Sequence, residues 1–237
     1  AAAPFTGTSL GDALGNSNIT FDTPTTRYAV AAGNWSSTAT WSASDGGAPG
    51  ASVPLPQDTV ILNGNSGVGT ITADMLRIGA DITCSGYAGT LSLTGMNIES
   101  YGNLTLSAVM SSISSAGGGW IFSGRSNHTL TSAGRTFTNI QLILNAPGGT
   151  YTLQDALVTT NTFNVQGRGT WDTNGMSLTA VEVISTGSAT RGLILGSSIV
   201  TITGATWQIV GTNLTFSGVD STIRFTGTGA SDHDFIG

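Results

Sequence analysis

The feature that most constrains this chain is a short run of alternating apolar and hydroxyl-bearing residues that returns along most of its length. Leu91 and Leu93, for example, alternate with threonine and serine between Thr90 and Thr94. This period of two is typical of a half-buried β-strand. Similar runs occur at 59–62, 103–107, 128–131, 141–144, 162–165, 198–203, 213–217 and 222–226. The chain is therefore predicted to be all-β.

Glycine and polar turn residues separate these runs, and strong helix formers are scarce. The 237 residues include 34 glycines, no lysine and only two glutamates, Glu99 and Glu182. A glycine inside a helix costs about 1 kcal/mol relative to alanine. Helix is therefore not expected to contribute much to the fold.

The spacing of the runs fits two all-β architectures. Apolar pairs recur at intervals of roughly 10 to 20 residues, which suits a β-sandwich or jelly roll as well as a solenoid. The solenoid is favoured because the strands are uniformly short, the turns mostly lack hairpin pairs such as Asn-Gly, and no long polar connection interrupts residues 60–225. We therefore predict a parallel, right-handed β-helix, with a β-sandwich or jelly roll as the alternative.

The first 64 residues differ from the rest and predict two N-terminal segments. Residues 1–26 show little periodicity and are predicted to be an arm or linker, whereas residues 27–64 hold three of the six prolines and two of the five tryptophans. A solenoid needs a segment that covers the apolar end of its first coil. We expect a cap at 27–64 and a β-helix at 65–237 that continues beyond the given sequence or is covered there by a partner chain.

Composition excludes several classes of partner. Only 8% of residues are charged and the formal net charge is -6. Nucleic-acid binding needs a basic stripe, which seven scattered arginines among thirteen acidic residues do not provide. No apolar run approaches the about 18 residues of a membrane span. We expect no nucleic-acid partner and no membrane insertion, and the single cysteine, Cys84, rules out a disulfide framework.

Residues 27–60 carry a series of turn and cap motifs. They are Arg27-Tyr28-Ala29-Val30, Gly33-Asn34-Trp35, Trp41-Ser42-Ala43, Gly46-Gly47, Ala51-Ser52-Val53-Pro54 and Gln57-Asp58-Thr59-Val60. This opening resembles that of a group of β-helical proteins from tailed bacteriophages and aquatic bacteria, which includes tail-fibre, tail-spike and uncharacterised surface proteins. Ala29 stands where the group usually has tryptophan, and Gln57 where it often has aspartate. Segments 132–137, 145–150 and 169–174 are similar to the group's repeats.

The resemblance implies a structural or adhesive role and brings no catalytic signature with it. We expect a non-enzymatic protein of a virion (tail fibre, spike shaft or capsid decoration) or of a bacterial surface fibre, located on the particle or outside the cell. It is expected to assemble with itself, preferably as a trimer, and with other virion or surface proteins, because symmetry covers exposed strand edges. No cofactor is expected. The alternatives are a carbohydrate-binding adhesin, which would recognise cell-surface glycans, and a polysaccharide-degrading tail-spike domain.

Three aromatic residues of the predicted cap are candidates for carbohydrate binding. Tyr28, Trp35 and Trp41 would serve because exposed aromatic faces stack on sugar rings. The competing interpretation, favoured by their position, is that they pack over the end of the first coil. The other three tryptophans lie in or beside apolar runs and are predicted to be buried in strands. They are Trp120, Trp171 and Trp207.

Acidic residues are the candidates for catalysis. Glycosidases need two carboxyl groups about 5 to 10 Å apart, and stacked coils can align residues from different turns. The candidates in separate turns are Asp155, Asp172, Glu182 and Asp220. The competing interpretation is that such residues cap the backbone of their own turns.

Metal-binding and nucleophilic motifs are weak. Asp232 and Asp234 flank His233 and are weak candidates for a metal site, since Ca²⁺ takes six to eight oxygen ligands. His128 has no cysteine or histidine at ligand spacing and is predicted to lie on a strand face. No Gly-x-Ser-x-Gly elbow between a strand and a helix supports a Ser-His-Asp triad. Cys84 is predicted to be a small buried hydrophobic residue.

Overall fold

The chain folds as a β-solenoid of about eight turns built from parallel strands. The computed structural model describes residues 5–227 and 234–236, with side chains described from residue 7 to residue 227. Within these residues the helical elements are two 3₁₀ turns, η1 (Thr38–Thr40) and η2 (Gly64–Ser66). The predicted parallel β-helix is therefore confirmed, and the β-sandwich alternative is wrong because the sheets are stacked coils of parallel strands.

The described strands are short, with two to five residues each. In chain order they are β1 (Phe5–Thr6), β2 (Ile19–Thr20), β3 (Thr26–Ala29), β4 (Gly33–Asn34), β5 (Trp41–Ser42), β6 (Thr59–Ile61), β7 (Thr70–Ala73), β8 (Ile82–Thr83), β9 (Thr90–Leu93), β10 (Ile98–Ser100), β11 (Leu104–Thr105), β12 (Ser112–Ser115), β13 (Gly119–Phe122), β14 (Asn127–Thr131), β15 (Thr136–Thr138), β16 (Gln141–Leu144), β17 (Thr150–Leu153), β18 (Leu157–Thr159), β19 (Thr162–Asn164), β20 (Gly169–Asp172), β21 (Leu178–Ala180), β22 (Glu182–Ser185), β23 (Arg191–Ile194), β24 (Ile199–Ile202), β25 (Thr206–Ile209), β26 (Leu214–Ser217), β27 (Thr222–Phe225) and β28 (Asp234–Ile236).

Three sheets run along the stack. Sheet I has the order β5-β3-β6-β8-β11-β14-β17-β20-β23-β26, sheet II the order β4-β7-β9-β12-β15-β18-β21-β24-β27, and sheet III the order β10-β13-β16-β19-β22-β25-β28. From β8 onward each coil therefore contributes one strand to sheet I, then one to sheet II, then one to sheet III. Within these three sheets, the pairing of β3 with β5 is the antiparallel exception among the described strands. β1 and β2 form a separate parallel pair in the N-terminal arm.

Alternation along each strand sends apolar side chains into the bore, where they stack on the equivalent residue of the next coil. In sheet III the inward ladder is Ile98, Trp120, Leu142, Phe163, Val183 and Trp207. Each of these side chains is at most 2% exposed. Each coil thus buries its apolar residues on its neighbours, which is how a solenoid builds one continuous core. The burial of Trp120, Trp171 and Trp207 confirms their predicted place in buried strands.

Aromatic rings fill the middle of the bore. The ring centroid of Trp171 lies 5.3 Å from that of Phe122, 5.8 Å from that of Tyr151 and 4.9 Å from that of Phe163. The Tyr151 hydroxyl donates to the Gly102 carbonyl at 3.1 Å, so this buried polar atom is satisfied. Favourable aromatic pairs, such as the edge-to-face contact of Trp171 with Phe122, add about 0.5–1.5 kcal/mol each beyond burial.

The outer faces of the three sheets differ in chemistry. Hydroxyl residues align on sheet I at Thr83, Thr105 and Thr131. They also align on sheet II at Thr72, Ser92, Ser114 and Thr138. Sheet III instead carries an outward ladder of Ile121, Ile143, Asn164 and Ile184. Its three isoleucines are half-buried, so sheet III has the most apolar exterior of the three.

Neighbouring coils approach each other so closely at Gly167 that there is no room for a side chain. A Cβ added at Gly167 would overlap the carbonyl oxygen of Leu144 in the preceding coil, whereas one added at Gly64 would meet open space. We expect Gly167→Ala to destabilise the fold by roughly 1–3 kcal/mol, because backbone must move to relieve the overlap. Gly64→Ala is the matched control and should stay within about 0.5 kcal/mol of the wild type. Urea unfolding followed by tryptophan fluorescence measures both, and equal stability of the two variants would contradict the close approach.

Candidate functional site

The two cap tryptophans are buried. Trp35 and Trp41 are both 0% exposed, and their ring centroids lie 4.7 Å apart at an interplanar angle of 67°. The indole N–H of Trp41 donates to the Trp35 carbonyl at 2.7 Å. A ring with no exposed face cannot stack on a sugar, so the predicted carbohydrate-binding role of Trp35 and Trp41 is wrong. Tyr28 is half-buried in β3, and without the two tryptophans it does not form a platform.

Hydrogen bonds to the following coil hold the cap tryptophans in place. The backbone N–H of Trp35 donates to the Thr72 carbonyl at 2.7 Å. The next residue, Ser36, donates from its backbone N–H and its hydroxyl to the Asp74 carboxylate, at 2.8 and 2.6 Å. These bonds draw the loop after β4 onto β7, and the indole rings are enclosed beneath it. Packing over the first coil is therefore the interpretation that fits the burial.

Asp58 anchors the entry into the solenoid. It is 1% exposed, and one carboxylate oxygen accepts hydrogen bonds from the backbone N–H and the hydroxyl of Thr25, at 2.7 and 2.9 Å. The other oxygen accepts from the backbone N–H of Leu55 at 2.8 Å. This single carboxylate thus joins the chain before β3 to the proline-rich loop before β6, which is a structural function.

The neighbouring residue, Gln57, clamps the N-terminal arm against the solenoid. Its amide N–H group donates to the carbonyls of Leu10 and Asp22, at 3.1 and 3.0 Å. Its amide oxygen accepts from the backbone N–H of Asp12 at 2.8 Å. The motif that contains Gln57 and Asp58 therefore holds two segments in place, the backbone of the N-terminal arm and the loop before β6.

The four candidate catalytic carboxylates lie in different surroundings. Asp155 accepts from the backbone N–H groups of Ser132 and Ala133 in the preceding coil, at 2.7 and 2.6 Å. Asp172 accepts from Asn174 in its own turn at 2.8 Å, as the capping interpretation expects. Glu182 of sheet III accepts from the Thr162 hydroxyl at 2.6 Å. The fourth candidate, Asp220, is exposed in the turn between β26 and β27.

These positions do not form a paired acid site. Asp172 lies on sheet I and Glu182 on sheet III. Within residues 7–227 no described contact joins any two of the four side chains, and each of the first three is engaged with backbone or a hydroxyl. The structure therefore gives the glycosidase interpretation no geometric support.

The predicted metal candidates fall at the end of the chain. Asp232 lies outside the described residues, and Asp234 begins β28 but its side chain is not described. Among the described side chains no group of three or more His, Cys, Asp or Glu residues is placed to hold a metal ion. No helix in the described part of the chain is long and apolar enough to cross a membrane.

His128 lies on a strand face of sheet I, as predicted, beside a serine. Its Nε2 atom is 3.1 Å from the Ser126 hydroxyl, and its ring centroid is 5.2 Å from that of Tyr151. Burial lowers the pKa of His128, while the charge of Asp81 acts in the opposite direction. No described residue bonds the other ring nitrogen, so the third member of a Ser-His-Asp triad is missing from residues 7–227.

A polar cluster that the sequence does not reveal forms where sheet III begins. Arg77 and Glu99 face each other as a bridge between coils, with Nε 3.7 Å from a carboxylate oxygen. The Tyr101 hydroxyl donates to Glu99 at 2.8 Å and accepts from Arg77 at 2.9 Å, and Ser123 donates to the other carboxylate oxygen at 2.5 Å. Burial, reinforced by Glu99, raises the pKa of Tyr101. The cluster satisfies its own charges and braces the first strands of sheet III.

A depression lies at the corner between sheets III and I. We call this depression of about 530 Å³ the corner groove; it is formed by the turns at 147–150, 168–170 and 188–191, with Thr215 at its far end. The outward ladder of sheet I beside it is Thr150, Thr170, Gly192 and Thr215. Gly192 is the one position of this ladder without a side chain, and the Thr170 side chain lies against it.

Two arginines of different character line the corner groove. Arg191 is only 2% exposed, and its guanidinium donates to the Ser185 hydroxyl at 2.7 Å. It also donates to three backbone carbonyls, those of Ala189, Thr212 and Val210, at 2.7 to 3.0 Å. Burial lowers the pKa of Arg191, but an arginine remains cationic in proteins. Arg168 is exposed instead, and no hydrogen bond or ion pair joins its guanidinium to a described residue.

Comparison with known proteins does not find a similar protein. Neither a protein-family model, nor a curated protein, nor a solved structure matches the chain.

The corner groove is a site that the sequence did not indicate, since its arginines stand in unrelated stretches of sequence. The detectable signal was limited to an arginine next to the first residue of β20 and another at the first residue of β23.

The anchoring function of Asp58 leads to a stability prediction. Asp58→Ala should destabilise the fold by about 2–4 kcal/mol, because it leaves the backbone N–H groups of Thr25 and Leu55 without acceptors. Asp58→Asn should cost less, since its amide oxygen still accepts one set of bonds. Asp220→Asn, at an exposed turn whose positive φ asparagine also tolerates, is the control and should change stability by less than about 0.5 kcal/mol. Urea titration of all three gives the order, and a neutral Asp58→Ala would contradict it.

Cys84 is buried, as predicted, and this has a measurable pH dependence. Burial raises the pKa of the Cys84 thiol from 9.0 to about 12. The unfolded chain therefore loses its thiol proton before the folded chain does, so stability present below pH 9 is lost as the pH rises towards 12. Between these values the wild type should lose up to about 1.4 kcal/mol per pH unit more than Cys84→Ala. Parallel pH profiles for the two proteins would contradict the burial, as would reaction of the folded wild type with a thiol reagent at pH 8.

Proposed function

We propose that the chain is a non-enzymatic structural segment of a bacteriophage particle or of a bacterial surface fibre, and that it works as a homo-oligomer. The observation that carries this proposal is the use of its polar side chains: Asp58, Asp74, Asp81 and Asp155 each bond backbone of a neighbouring coil or of the cap. Polar groups placed in this way make a rod stiff. They leave few carboxylates for chemistry.

The architecture suits a shaft. Neighbouring strands lie about 4.8 Å apart, so a stack of eight coils is roughly 40 Å long. Parallel pairing satisfies the backbone hydrogen-bonding groups of the strands in the inner coils. Each coil also contacts its neighbours through buried side chains. Such a rod exposes little unpaired backbone along its sides, which favours resistance to proteolysis in an extracellular setting.

The outer face of sheet III is the surface that we propose for contact between copies. Ile121, Ile143 and Ile184 form its apolar ladder, while the outer faces of sheets I and II carry mainly threonine and serine. An apolar stripe, interrupted at Asn164, on an otherwise hydroxyl-rich rod marks an interaction surface. Rotational symmetry would place the same stripe of each copy at a common axis, as a trimeric fibre requires.

Neither alternative function is supported at the residues that the sequence indicates for it. A carbohydrate-binding adhesin that uses the cap tryptophans is incompatible with their complete burial. A polysaccharide-degrading domain needs a pair of carboxylates on one surface, and Asp172 and Glu182 lie on different sheets. The structural proposal therefore stands first.

The native mass of the intact protein tests the proposal. We expect a multiple of 23.9 kDa, with the trimer preferred, by native mass spectrometry and light scattering. The double variant Ile121→Lys with Ile143→Lys should shift the assembly to the monomer, because charge on the ladder repels its symmetry mates. The control pair Thr83→Lys with Thr105→Lys puts the same charges on sheet I and should leave the mass unchanged.

A wild-type protein that stays monomeric at all accessible concentrations would overturn the homo-oligomeric function. Dissociation by both pairs of substitutions would show instead that added charge, and not the face of sheet III, controls assembly. Circular dichroism of each variant establishes that the solenoid is intact.

A further inference from the structure

The corner groove is a region of positive charge on an acidic protein. The chain carries thirteen acidic and seven basic residues. None of the described residues that line the corner groove is acidic, and two of them, Arg168 and Arg191, are basic. The local charge is therefore opposite to that of the molecule as a whole, and it attracts an anion.

The buried charge of Arg191 has no anionic partner in the described chain. Each of its acceptors is a neutral hydroxyl or carbonyl oxygen, and the ion pair found within residues 7–227 joins Arg77 and Glu99. A buried charge is costly unless an opposite charge compensates it. An anion in the corner groove would supply that compensation, so Arg191 forms a fixed positive floor for a negatively charged ligand.

Arg168 is the group that can contact such an anion directly. Its guanidinium is exposed at the groove and has no partner among the described residues. A guanidinium presents N–H donors in a planar fork that matches the two oxygens of a carboxylate or a phosphate. The arrangement therefore combines a buried positive floor with a free, forked donor beside it.

The shape of the corner groove suits a polymer better than a small ion. It extends along the stack through three successive turns, and its wall carries the hydroxyls of Thr150, Thr170, Ser188 and Thr190. Coils repeat at about 4.8 Å, so these hydroxyls form an array about 10 Å long. Hydroxyl groups on such an array can both donate to and accept from the hydroxyls of a sugar chain.

A second exposed arginine continues the same line beyond the groove. Asn127 pairs with Thr150, which pairs with Thr170, so Arg125 and Arg168 occupy equivalent positions two coils apart. Two coils correspond to about 10 Å along the stack. The backbone of the arm at Gly15 lies against the Arg125 guanidinium and closes the line at that end. Positive groups repeat here at a spacing that a polymer with regularly repeated anions can match.

We propose that the corner groove binds an acidic polysaccharide, whose carboxylate or phosphate groups pair with Arg168 above the buried charge of Arg191. A nucleic acid is disfavoured because no aromatic side chain lines the groove to stack with bases, and because the net charge of the chain is -6. The proposal goes beyond the structural function and is independent of it, since a rod can form without this ligand.

Binding of defined polymers to the full chain tests the proposal. The probes are polygalacturonate, which carries carboxylates, phosphomannan, which carries phosphates, and neutral dextran, each studied by affinity electrophoresis and calorimetry at low and moderate salt. We expect at least one acidic polymer to bind, more weakly as salt rises, and dextran not to bind. Preference for the first or the second polymer identifies the anion, and either outcome supports the proposal.

Matched variants assign the binding to the groove. Arg168→Gln should weaken binding of the acidic polymer by about tenfold or more, because a charge-assisted pair is lost. Thr170→Glu should weaken it further by placing a carboxylate in the groove. Arg224→Gln, which removes the same charge from the outer face of sheet II, is the control and should change affinity by less than about twofold.

Three results would overturn the proposal. They are no binding of either acidic polymer to the folded wild type, equal weakening by Arg168→Gln and Arg224→Gln, and tighter binding of single-stranded DNA than of either polymer. The native mass of Arg168→Gln is measured in parallel. Lost binding at unchanged mass separates this site from the assembly surface on sheet III.

Discussion

The parallel backbone pairing between one coil and the next is the interaction on which the rest of the structure depends. It forces residues about one coil apart into contact. At the corners, where the backbone is no longer paired in a sheet, other groups must supply its hydrogen-bond partners. Asp81 shows how this is done: its carboxylate accepts from the backbone and side-chain N–H groups of Asn103 in the following coil, at 2.7 and 3.0 Å. The chain has few charged residues because its acidic side chains are placed mainly where the backbone of a coil needs a hydrogen-bond acceptor.

The sequence contains enough information for the fold but not for the site, and the reason is the variable length of the coils. Alternation such as Leu91 and Leu93 identifies strands wherever they stand in the coil. Alignment between coils is different: Leu104 pairs with Leu130, 26 residues later, whereas Tyr151 pairs with Trp171 after 20 residues. Without a constant repeat, the sequence cannot show that Arg77 meets Glu99, or that the turns at 147–150 and 168–170 border one groove.

The cap illustrates a second limit of sequence information. Aromatic residues in a proline-rich segment suit an exposed platform as well as a buried plug, and local sequence does not distinguish them. The outcome is decided by contacts from a later coil, since Asp74 and Thr72 draw the chain around Trp35 inward. Asp58, one of the motif residues on which the expected resemblance to phage and surface proteins rests, holds backbone in place. A resemblance at such a position concerns how the rod begins, and function has to be sought on the outer faces of the sheets.

The parallel direction of the strands gives the rod a polarity. Every strand of sheets I, II and III from β6 onward runs the same way around the axis, so the end near Trp35 and the end near Phe216 are chemically different surfaces. Copies that associate side by side around a common axis must all point in the same direction to bring the same ladder together. A fibre assembled in the proposed way would then have one kind of tip and one kind of base. An elongated assembly with such a built-in direction can attach at one end and present the other.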